Sequence, residues 1–221
     1  MTDTIRLERY SHYVTENRVP IDLRRRPDAR LQVSRLAAEL FWRDGVSATR
    51  GEDIAAAAGI ATRTLWRYFR SKEACIEPVL AESGRRFMAV LESWPLDVSI
   101  EKFFEISQAP EPVTYTADDV HAMRMVRLGF DEPALRSSWL MVCDDAERQC
   151  ARIFGRRLGQ DKQSREVQQI AASVSGSVRA LNDSLSVDFV DRGITPDSRD
   201  VLDLLAQAIR HGSNGRIGPA V

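Results

Sequence analysis

Residues 28–73 read DARLQVSRLAAELFWRDGVSATRGEDIAAAAGIATRTLWRYFRSKE, and this stretch decides the fold. Apolar residues recur in its first part at intervals of three and four, which predicts an amphipathic helix over 28–44. The apolar positions are Val33, Leu36, Ala37, Leu40 and Phe41. Gly45 follows this helix directly and suits the left-handed conformation in which many helices end.

Two shorter helices are predicted beyond this glycine. Thr49 is followed three residues later by Glu52, which is the spacing of a capping box, so we expect a second helix over 50–58. Gly59 ends it, and a third helix is predicted over 62–69. Two short helices joined by a tight turn that holds a glycine, with a longer helix before them, are typical of a helix-turn-helix.

The rest of the chain also has helical periodicity, and no segment shows the sustained alternation of a strand, so the predicted fold class is all-α. A long helix is expected from Ser71 to about Trp94, ended by Pro95. Further helices are predicted over 99–108, 116–128, 133–158, 164–190 and 196–210, separated by segments with proline or glycine.

The last two predicted helices each carry an apolar stripe. In 164–190 the stripe consists of Val167, Ile170, Ala171, Val174, Val178, Leu181 and Leu185. In 196–210 it consists of Val201, Leu202, Leu204, Leu205, Ala208 and Ile209. Such stripes can pack inside a protomer or pair across a dimer, and the pattern leaves both open.

The charges are unevenly distributed along the 221 residues of the chain. Residues 24–72 contain eleven Lys or Arg and five Asp or Glu, a net charge of +6 in a chain whose total is -1. A basic N-terminal third joined to an acidic remainder indicates contact with an anionic polymer through that third alone. A solvated charged face would have the same composition.

Several classes of protein are disfavoured by what the sequence lacks. No run approaches the roughly 18 consecutive apolar residues of a membrane span, and the first residues lack the apolar stretch of a signal peptide, so a cytoplasmic protein without a membrane partner is expected. Cys75, Cys143 and Cys150 lack zinc-site spacing, and we interpret them as reduced core thiols, with redox sensing left open. No catalytic triad, phosphate-binding loop or metal-ligand set is recognisable, so neither an enzyme nor a cofactor is predicted.

A set of short motifs resembles the DNA-binding domain of the TetR family of transcription regulators. The motifs are Gly45-Val46-Ser47-Ala48-Thr49, Asp53-Ile54-Ala55, Ala58-Gly59-Ile60, Thr64-Leu65-Trp66-Arg67-Tyr68-Phe69 and Ser71-Lys72-Glu73. The resemblance covers about residues 28–76 and implies an all-helical homodimer that binds palindromic operator DNA. It also implies a helix-turn-helix domain (28–73) and a helical effector-binding and dimerisation domain (74–212). The terminal position of the arm (1–27) and of the tail (213–221), which is rich in Gly and Pro, predicts that both are mobile.

The chain departs from the family pattern at three of these positions. Family members often carry Ser where this chain has Ala61, Thr where it has Arg50, and Tyr where it has Trp66. Without a hydroxyl at 61 the third helix lacks a side-chain N-cap, a change that costs about 1 kcal/mol in general. Thr62 is the alternative cap.

The resemblance implies DNA-binding roles for residues in and around the third helix. Base contacts are expected from Thr62, Arg63, Thr64 and Arg67, backbone contacts from Thr49, Arg50, Tyr68 and Lys72, and an apolar or phosphate contact from Trp66. We expect Arg63 to reach a guanine edge and Lys72 a phosphate. The alternatives are that Tyr68 is partly core, that Thr64 packs within the domain and that Arg67 is only solvated.

Two further features bear on ligands. Arg24-Arg25-Arg26 could enter a minor groove, touch phosphate or form a basic tether. The segment from Arg127 to Gly159 resembles the ligand-binding halves of actinobacterial family members, some of which sense acyl thioesters. An effector cavity is predicted near Trp94, Phe104, His121 and Trp139, although such residues also build ordinary cores.

The leading hypothesis is a ligand-responsive repressor that a small hydrophobic or anionic molecule releases from its operator. The first alternative is a DNA-binding protein without an effector. The second is a helical enzyme or partner-binding module that contains a trihelical domain and binds no DNA.

Overall fold

The computed structural model describes residues 28–107 and 115–218. Every element of regular secondary structure in these ranges is a helix, in agreement with the predicted all-α class. The helices are α1 (Asp28–Asp44), α2 (Gly51–Ala57), α3 (Thr62–Tyr68), α4 (Glu77–Glu92), α5 (Ile100–Ser107), α6 (Ala117–Leu128), α7 (Pro133–Leu158), α8 (Arg165–Arg192) and α9 (Ser198–Ser213). The chain forms two compact units, the first ending at Cys75 and the second beginning at Ile76.

The first unit is held together by apolar side chains that the helical period predicted. Val33 and Ala37 of α1 are fully buried, as are Ile54 of α2 and Leu65 of α3. Burial of side chains of this size contributes about 1.5–3 kcal/mol each, so the three helices stabilise one another. Gly45 has φ 88° and therefore ends α1 as expected.

The start of α2 differs from the prediction by one residue. Its N-cap is Arg50, whose amide donates to the Asp53 carboxylate at 2.8 Å, instead of Thr49 paired with Glu52. The reason is that the Thr49 hydroxyl donates to the carbonyl oxygen of Gly45 at 2.8 Å and is therefore turned away from α2.

The long helix predicted from residue 71 to residue 94 is wrong at its beginning. A 3-10 turn spans Glu73–Ile76, and α4 starts only at Glu77. Pro78 lies in the first turn of α4 and explains the break. Proline has no amide hydrogen and its ring clashes with the carbonyl four residues earlier, so a continuous helix through this point is disfavoured.

The second unit packs α4, α5, α7, α8 and α9 around one apolar core. The ends of α6, α7, α8 and α9 agree with the prediction within about three residues, and α7 covers 133–158 as expected. Gly159 and Gly193 have φ near 65° and end α7 and α8 in the left-handed conformation that glycine adopts without strain. Members of the core include Leu91, Trp94, Phe104, Phe154, Val167, Val174 and Ile209.

The apolar stripe of α8 packs largely inside the protomer. Val167, Ile170, Ala171 and Val174 are buried in the core of the second unit. A Cβ atom added to Gly212 of α9 would lie 2.8 Å from the Cα of Val174, so the two helices meet backbone to backbone. This half of the stripe therefore belongs to the core and not to a dimer surface.

The C-terminal segment also differs from the prediction of a mobile tail over 213–221. Ser213 and Ile217 are buried, and the carbonyl of Ile217 accepts a hydrogen bond of 2.6 Å from Nε of Arg157. Residues 219–221 and the arm over 1–27, with its three arginines, lie outside the described residues. Among the helices described, none is long and apolar enough to cross a membrane.

Candidate nucleic-acid interface

One face of α3 is buried and the opposite face is open to solvent. Leu65 is completely buried, and Phe69, which follows the helix, is 3% exposed. Arg63, Trp66 and Arg67 are exposed, and because Arg63 lies three and four residues before the other two, they share the other face. The packing of the unit thus presents a cationic stripe with one large aromatic ring to solvent.

The residues that flank this stripe are partly held by local contacts. The guanidinium carbon of Arg67 lies 5.0 Å from the centroid of the Tyr68 ring, and Tyr68 is half-buried. Arg50 is 73% exposed and lies 3.5 Å from the Asp53 carboxylate. An exposed ion pair of this kind contributes little, so the Arg50 guanidinium is free to exchange Asp53 for another anion.

The beginning of α3 lacks a side-chain cap, as expected from Ala61 at the position where family members often carry Ser. The N-cap residue is Ala61, and no side chain caps the helix. Thr62 is the first helical residue, so it is not the alternative cap. Thr62 and Thr64 are both half-buried at the edge of the exposed stripe.

The prediction that Thr49 clamps the DNA backbone is contradicted by its burial. Thr49 is 2% exposed, and its hydroxyl donates to the carbonyl of Gly45. A buried hydroxyl with its hydrogen bond satisfied inside the unit cannot reach a phosphate without breaking that bond.

Lys72 also has an internal role that the sequence did not reveal. Its ammonium donates to the carbonyl oxygens of Val46 and Thr49, at 2.5 Å and 2.8 Å, and its side chain is 24% exposed. These carbonyls lie in the connection between α1 and α2, more than twenty residues before Lys72. The structure therefore gives this charge a role on the protein's own backbone, and the phosphate contact stays a prediction.

The four residues predicted to line an effector cavity do not come together. Trp94 and Phe104 belong to one core, where Trp94 stacks on Phe103 with ring centroids 6.4 Å apart. The guanidinium carbon of Arg157 lies 3.4 Å from the centroid of the Trp94 ring. Trp139 lies on the same helix as Arg157 but eighteen residues earlier, which is about 27 Å along the helix axis.

Trp139 takes part in a polar network at the other end of α7. Its indole nitrogen donates to Asp183 of α8 at 3.0 Å, and Arg136 donates to both oxygens of that carboxylate at 2.7 Å and 2.6 Å. Trp94, which contacts Arg157, and Trp139 therefore lie near opposite ends of α7 and mark two separate places, not one compact pocket. The predicted four-residue cavity is wrong in this respect.

Helix α6 carries basic side chains, among them His121 and Arg127. His121 is half-buried on this helix. Arg127 donates to Asp191 and to Asp131, each at 2.7 Å, and these hydrogen bonds raise the pKa of its guanidinium. Two carboxylates already balance this charge, so Arg127 is a poor candidate for binding an anion.

Two family models match the sequence in the order of the two units. The model of the bacterial regulatory proteins of the tetR family matches residues 35–79, which include α2, α3 and most of α1. The model of the MftR C-terminal domain, also of the TetR type, matches residues 111–215. This chain belongs to the TetR family.

A curated relative of this TetR-family chain is the HTH-type transcriptional regulator TcmR of Streptomyces glaucescens. The two are 30% identical over 136 residues, which is 59% of this chain and 60% of the relative. The match therefore spans less than two thirds of the length of that protein.

Solved structures of TetR-type proteins are similar to this chain at low sequence identity. Thermus thermophilus FadR in complex with lauroyl-CoA is 18% identical, with 87% of this chain and 98% of that chain covered and a TM-score of 0.48. Bacillus subtilis FadR in complex with stearoyl-CoA is 15% identical, with 82% and 98% covered and a TM-score of 0.44.

The TetR-family chain also contains a buried carboxylate that sequence reasoning missed. Asp119 accepts hydrogen bonds from the amide and hydroxyl of Thr116 and from the hydroxyl of Ser83, and it pairs with Arg86. Burial acts to raise the pKa of Asp119, but these hydrogen bonds outweigh it and hold the pKa below its usual value. The three-residue spacing of Thr116 and Asp119 was a visible capping signal, whereas the partners on α4 lie more than thirty residues away.

The thiols of the second unit are poorly suited to redox chemistry. Burial raises the pKa of Cys143 to about 12 and that of Cys150 to about 11. Because the thiolate is the reactive form, both groups are unreactive near neutral pH. They lie seven residues apart on α7, about 10 Å along its axis, which is too far for a disulfide bond.

Proposed function

We propose that this TetR-family chain is a DNA-binding transcriptional regulator, and specifically a repressor that a small molecule releases from a palindromic operator. The observation that carries the proposal is the exposed stripe of Arg63, Trp66 and Arg67 on α3. Side chains on the exposed face of such a helix can reach base edges in the major groove, while flanking cations reach phosphates. Arg50, at the start of α2, is a flanking cation whose side chain is 73% exposed.

The proposal is tested by selecting an operator from a random DNA library and then comparing that operator with random duplex. Arg63→Ala should weaken binding to the operator about 5- to 150-fold, because a bidentate contact to guanine discriminates by about 1–3 kcal/mol. Binding to random DNA should change far less. Equal losses on both DNAs would show that Arg63 does not read bases.

The matched control is Arg152→Ala. Arg152 is an exposed arginine of α7 in the second unit, outside the proposed interface. This variant should bind both DNAs like the wild type. If the wild type fails to bind even random duplex at micromolar concentration and low salt, the helical partner-binding module becomes the better hypothesis.

We further propose that the chain acts as a homodimer through the face of α8 that points away from the core. From residue 172 to residue 184 the exposed residues of this face are small: Ala172, Ser173, Ser177, Ala180 and Ser184. Small side chains let a second helix approach closely, and one face paired with its own copy satisfies the two-fold symmetry of most dimers. The buried half of the stripe cannot serve this purpose.

Sedimentation at micromolar concentration tests this surface. Ala180→Glu places a charge on the exposed face and should convert the dimer to a monomer. Ala89→Glu, at an exposed position of α4, is the control and should remain dimeric. A wild-type monomer, or an Ala180→Glu variant of unchanged mass, would exclude this face as the interface.

The proposed effector is a hydrophobic or anionic small molecule that binds in the second unit and weakens operator binding about 5- to 150-fold, the range of typical couplings. Trp94 and Trp139 mark two separate candidate places for it, one at each end of α7. Screening fatty acids, acyl thioesters and aromatic acids for release of the operator tests the idea. A hit that quenches fluorescence in Trp94→Phe but not in Trp139→Phe places the ligand near Trp139, and the reverse places it near Trp94.

A regulator without an effector is the alternative that remains if no compound changes operator affinity. In that case the wild type would still show sequence-specific binding, and Arg63→Ala would still lose it. The two measurements therefore separate failure of the effector proposal from failure of the DNA-binding proposal.

A further inference from the structure

The first turn of α2 meets the exposed face of α3 at a single glycine. A Cβ atom added to Gly51 would lie 2.1 Å from Cζ2 of Trp66 and 2.4 Å from its Cη2. These separations are far inside van der Waals contact, so only glycine fits at this position while the indole stays where it is. Gly51 is buried, whereas Trp66 is 42% exposed. The six-membered part of the indole therefore rests on the backbone of α2, and the remainder faces solvent.

The backbone conformation does not explain this glycine. Gly51 is absent from the residues with positive φ and lies in the first turn of an α-helix, where alanine is the more favourable residue. Its only evident contribution is the space that it leaves for the indole of Trp66. Gly51 and Trp66 thus form one packed pair.

We infer that Gly51 is a positioning residue for DNA recognition, because it fixes the orientation in which α3 presents the indole of Trp66. The inference rests on the proposed function, since it assumes that the exposed face of α3 meets DNA. Trp66 lies between Arg63 and Arg67 on that face. An indole already held in place loses less conformational freedom on binding than one that rotates in solvent, and it keeps clear of the neighbouring guanidinium groups.

The geometry also predicts what a larger residue at position 51 does to the indole of Trp66. The atoms that an alanine at 51 would strike are the far end of a side chain, whereas the backbone at 51 is held in α2. The indole therefore has to rotate away, while the packing of Ile54, Leu65 and Phe69 beneath it is unchanged. Phenylalanine lacks the ring that contains Cζ2 and Cη2, so Trp66→Phe leaves room for a methyl group at 51.

A double-mutant cycle on the selected operator tests the inference. Gly51→Ala should weaken operator binding about tenfold in the wild-type background, which is within the range of couplings between residues in contact. In the Trp66→Phe background, the same substitution should change binding by less than about twofold, since the conflicting atoms are absent. Gly84→Ala is the matched control, because Gly84 is a helical glycine at which an added Cβ meets nothing within 4 Å.

A spectroscopic measurement separates positioning from a loss of fold. In protein labelled with 5-fluorotryptophan, the 19F resonance of Trp66 is assigned by its absence in Trp66→Phe. Gly51→Ala should shift this resonance and leave that of the buried Trp139 in place, and thermal unfolding should show that the first unit stays folded.

Three results would overturn the inference: unchanged operator affinity in Gly51→Ala, an equal loss in the Trp66→Phe background, or an unmoved Trp66 resonance. A wild type for which no operator can be selected would instead overturn the proposed function, and with it the role of Gly51 in recognition. Normal operator selection with an additive cycle would contradict the role of Gly51 alone.

Discussion

The guanidinium group of Arg157 covers the indole ring of Trp94, with 3.4 Å between the guanidinium carbon and the ring centroid. Its Nη1 also donates to the carbonyl oxygens of Trp94 and Pro95, at 3.0 Å and 2.9 Å, and its Nε donates to that of Ile217. Burial lowers the pKa of Arg157 to about 10, so the group is still charged at neutral pH. One side chain of α7 thus ties the end of α4 to the C-terminal segment.

Arg157→Met should lower the free energy of unfolding of the second unit by about 2 kcal/mol, because it leaves the partly buried carbonyl groups of Trp94 and Ile217 without this charged donor. Calorimetry should show a melting temperature lower by about 4–8 °C for a unit of this size. Arg152→Met, at an exposed position on the same helix, should melt like the wild type. A shift shared by both variants would point to helix propensity instead of the carbonyl contacts.

Lys72→Met should destabilise the first unit by about 2 kcal/mol, because the carbonyls of Val46 and Thr49 lose a charged donor. The slope of log affinity for DNA against log salt should stay at the wild-type value. Arg50→Gln should instead reduce that slope by about 0.9 for each protomer, as expected when one phosphate contact is lost. A reduced slope in Lys72→Met would support the phosphate contact that the sequence suggested.

Asp119→Asn should reduce the change with pH of the free energy of unfolding of the second unit in the acid range. The folded-state pKa of Asp119 is below its usual value, so its ionised form stabilises the fold above the unfolded-state pKa of about 3.9 and this stabilisation is lost as the pH falls through the folded-state pKa. The variant should therefore be less stable than the wild type at pH 7, by about 2 kcal/mol, and the difference should shrink below pH 4. Urea unfolding at several pH values measures it, with the exposed Asp97→Asn as the control. A difference that does not vary with pH would mean that the side-chain change, and not the charge, is responsible.

The thiols of Cys143 and Cys150 should react slowly with Ellman's reagent in the folded protein at pH 8, since the pKa values of about 12 and 11 leave little thiolate. In guanidinium chloride both should react at once. Treatment with diamide should leave operator binding unchanged. If oxidation released the operator, the hypothesis that the cysteines sense the redox state would be supported.

Most of the helices were predictable because the buried positions follow a period near 3.6. Val33, Ala37 and Phe41 mark α1 in the sequence and are buried in the structure. The turn between α2 and α3 was predictable for a similar reason, since Gly59 supplies a left-handed residue with φ 66° at a place where few other residues fit.

The roles of polar residues were less predictable, because they depend on partners that are distant in sequence. The sequence around Lys72 gave no reason to place its side chain inside the unit. Its ammonium nevertheless donates to the carbonyls of Val46 and Thr49, in the connection between α1 and α2 more than twenty residues earlier. The hydroxyl of Thr49 can accept or donate a hydrogen bond, and only the structure shows that it donates to the carbonyl oxygen of Gly45. Trp94 and Trp139 are equally apolar in the sequence, and only the contact of Trp94 with Arg157 shows that it lies at the end of α7 opposite to Trp139.

The contact between Gly212 and Val174 has a consequence for motion in the second unit. Where helices touch through interdigitated side chains, they can slide a little past one another as rotamers change. At this crossing a methyl carbon added to Gly212 would lie 2.8 Å from Cα, N and Cγ2 of Val174, so the two helices are already as close as their backbones allow. The α8–α9 pair should therefore move as one rigid hairpin, and any rearrangement that a ligand induces has to be taken up by hinges elsewhere in the unit.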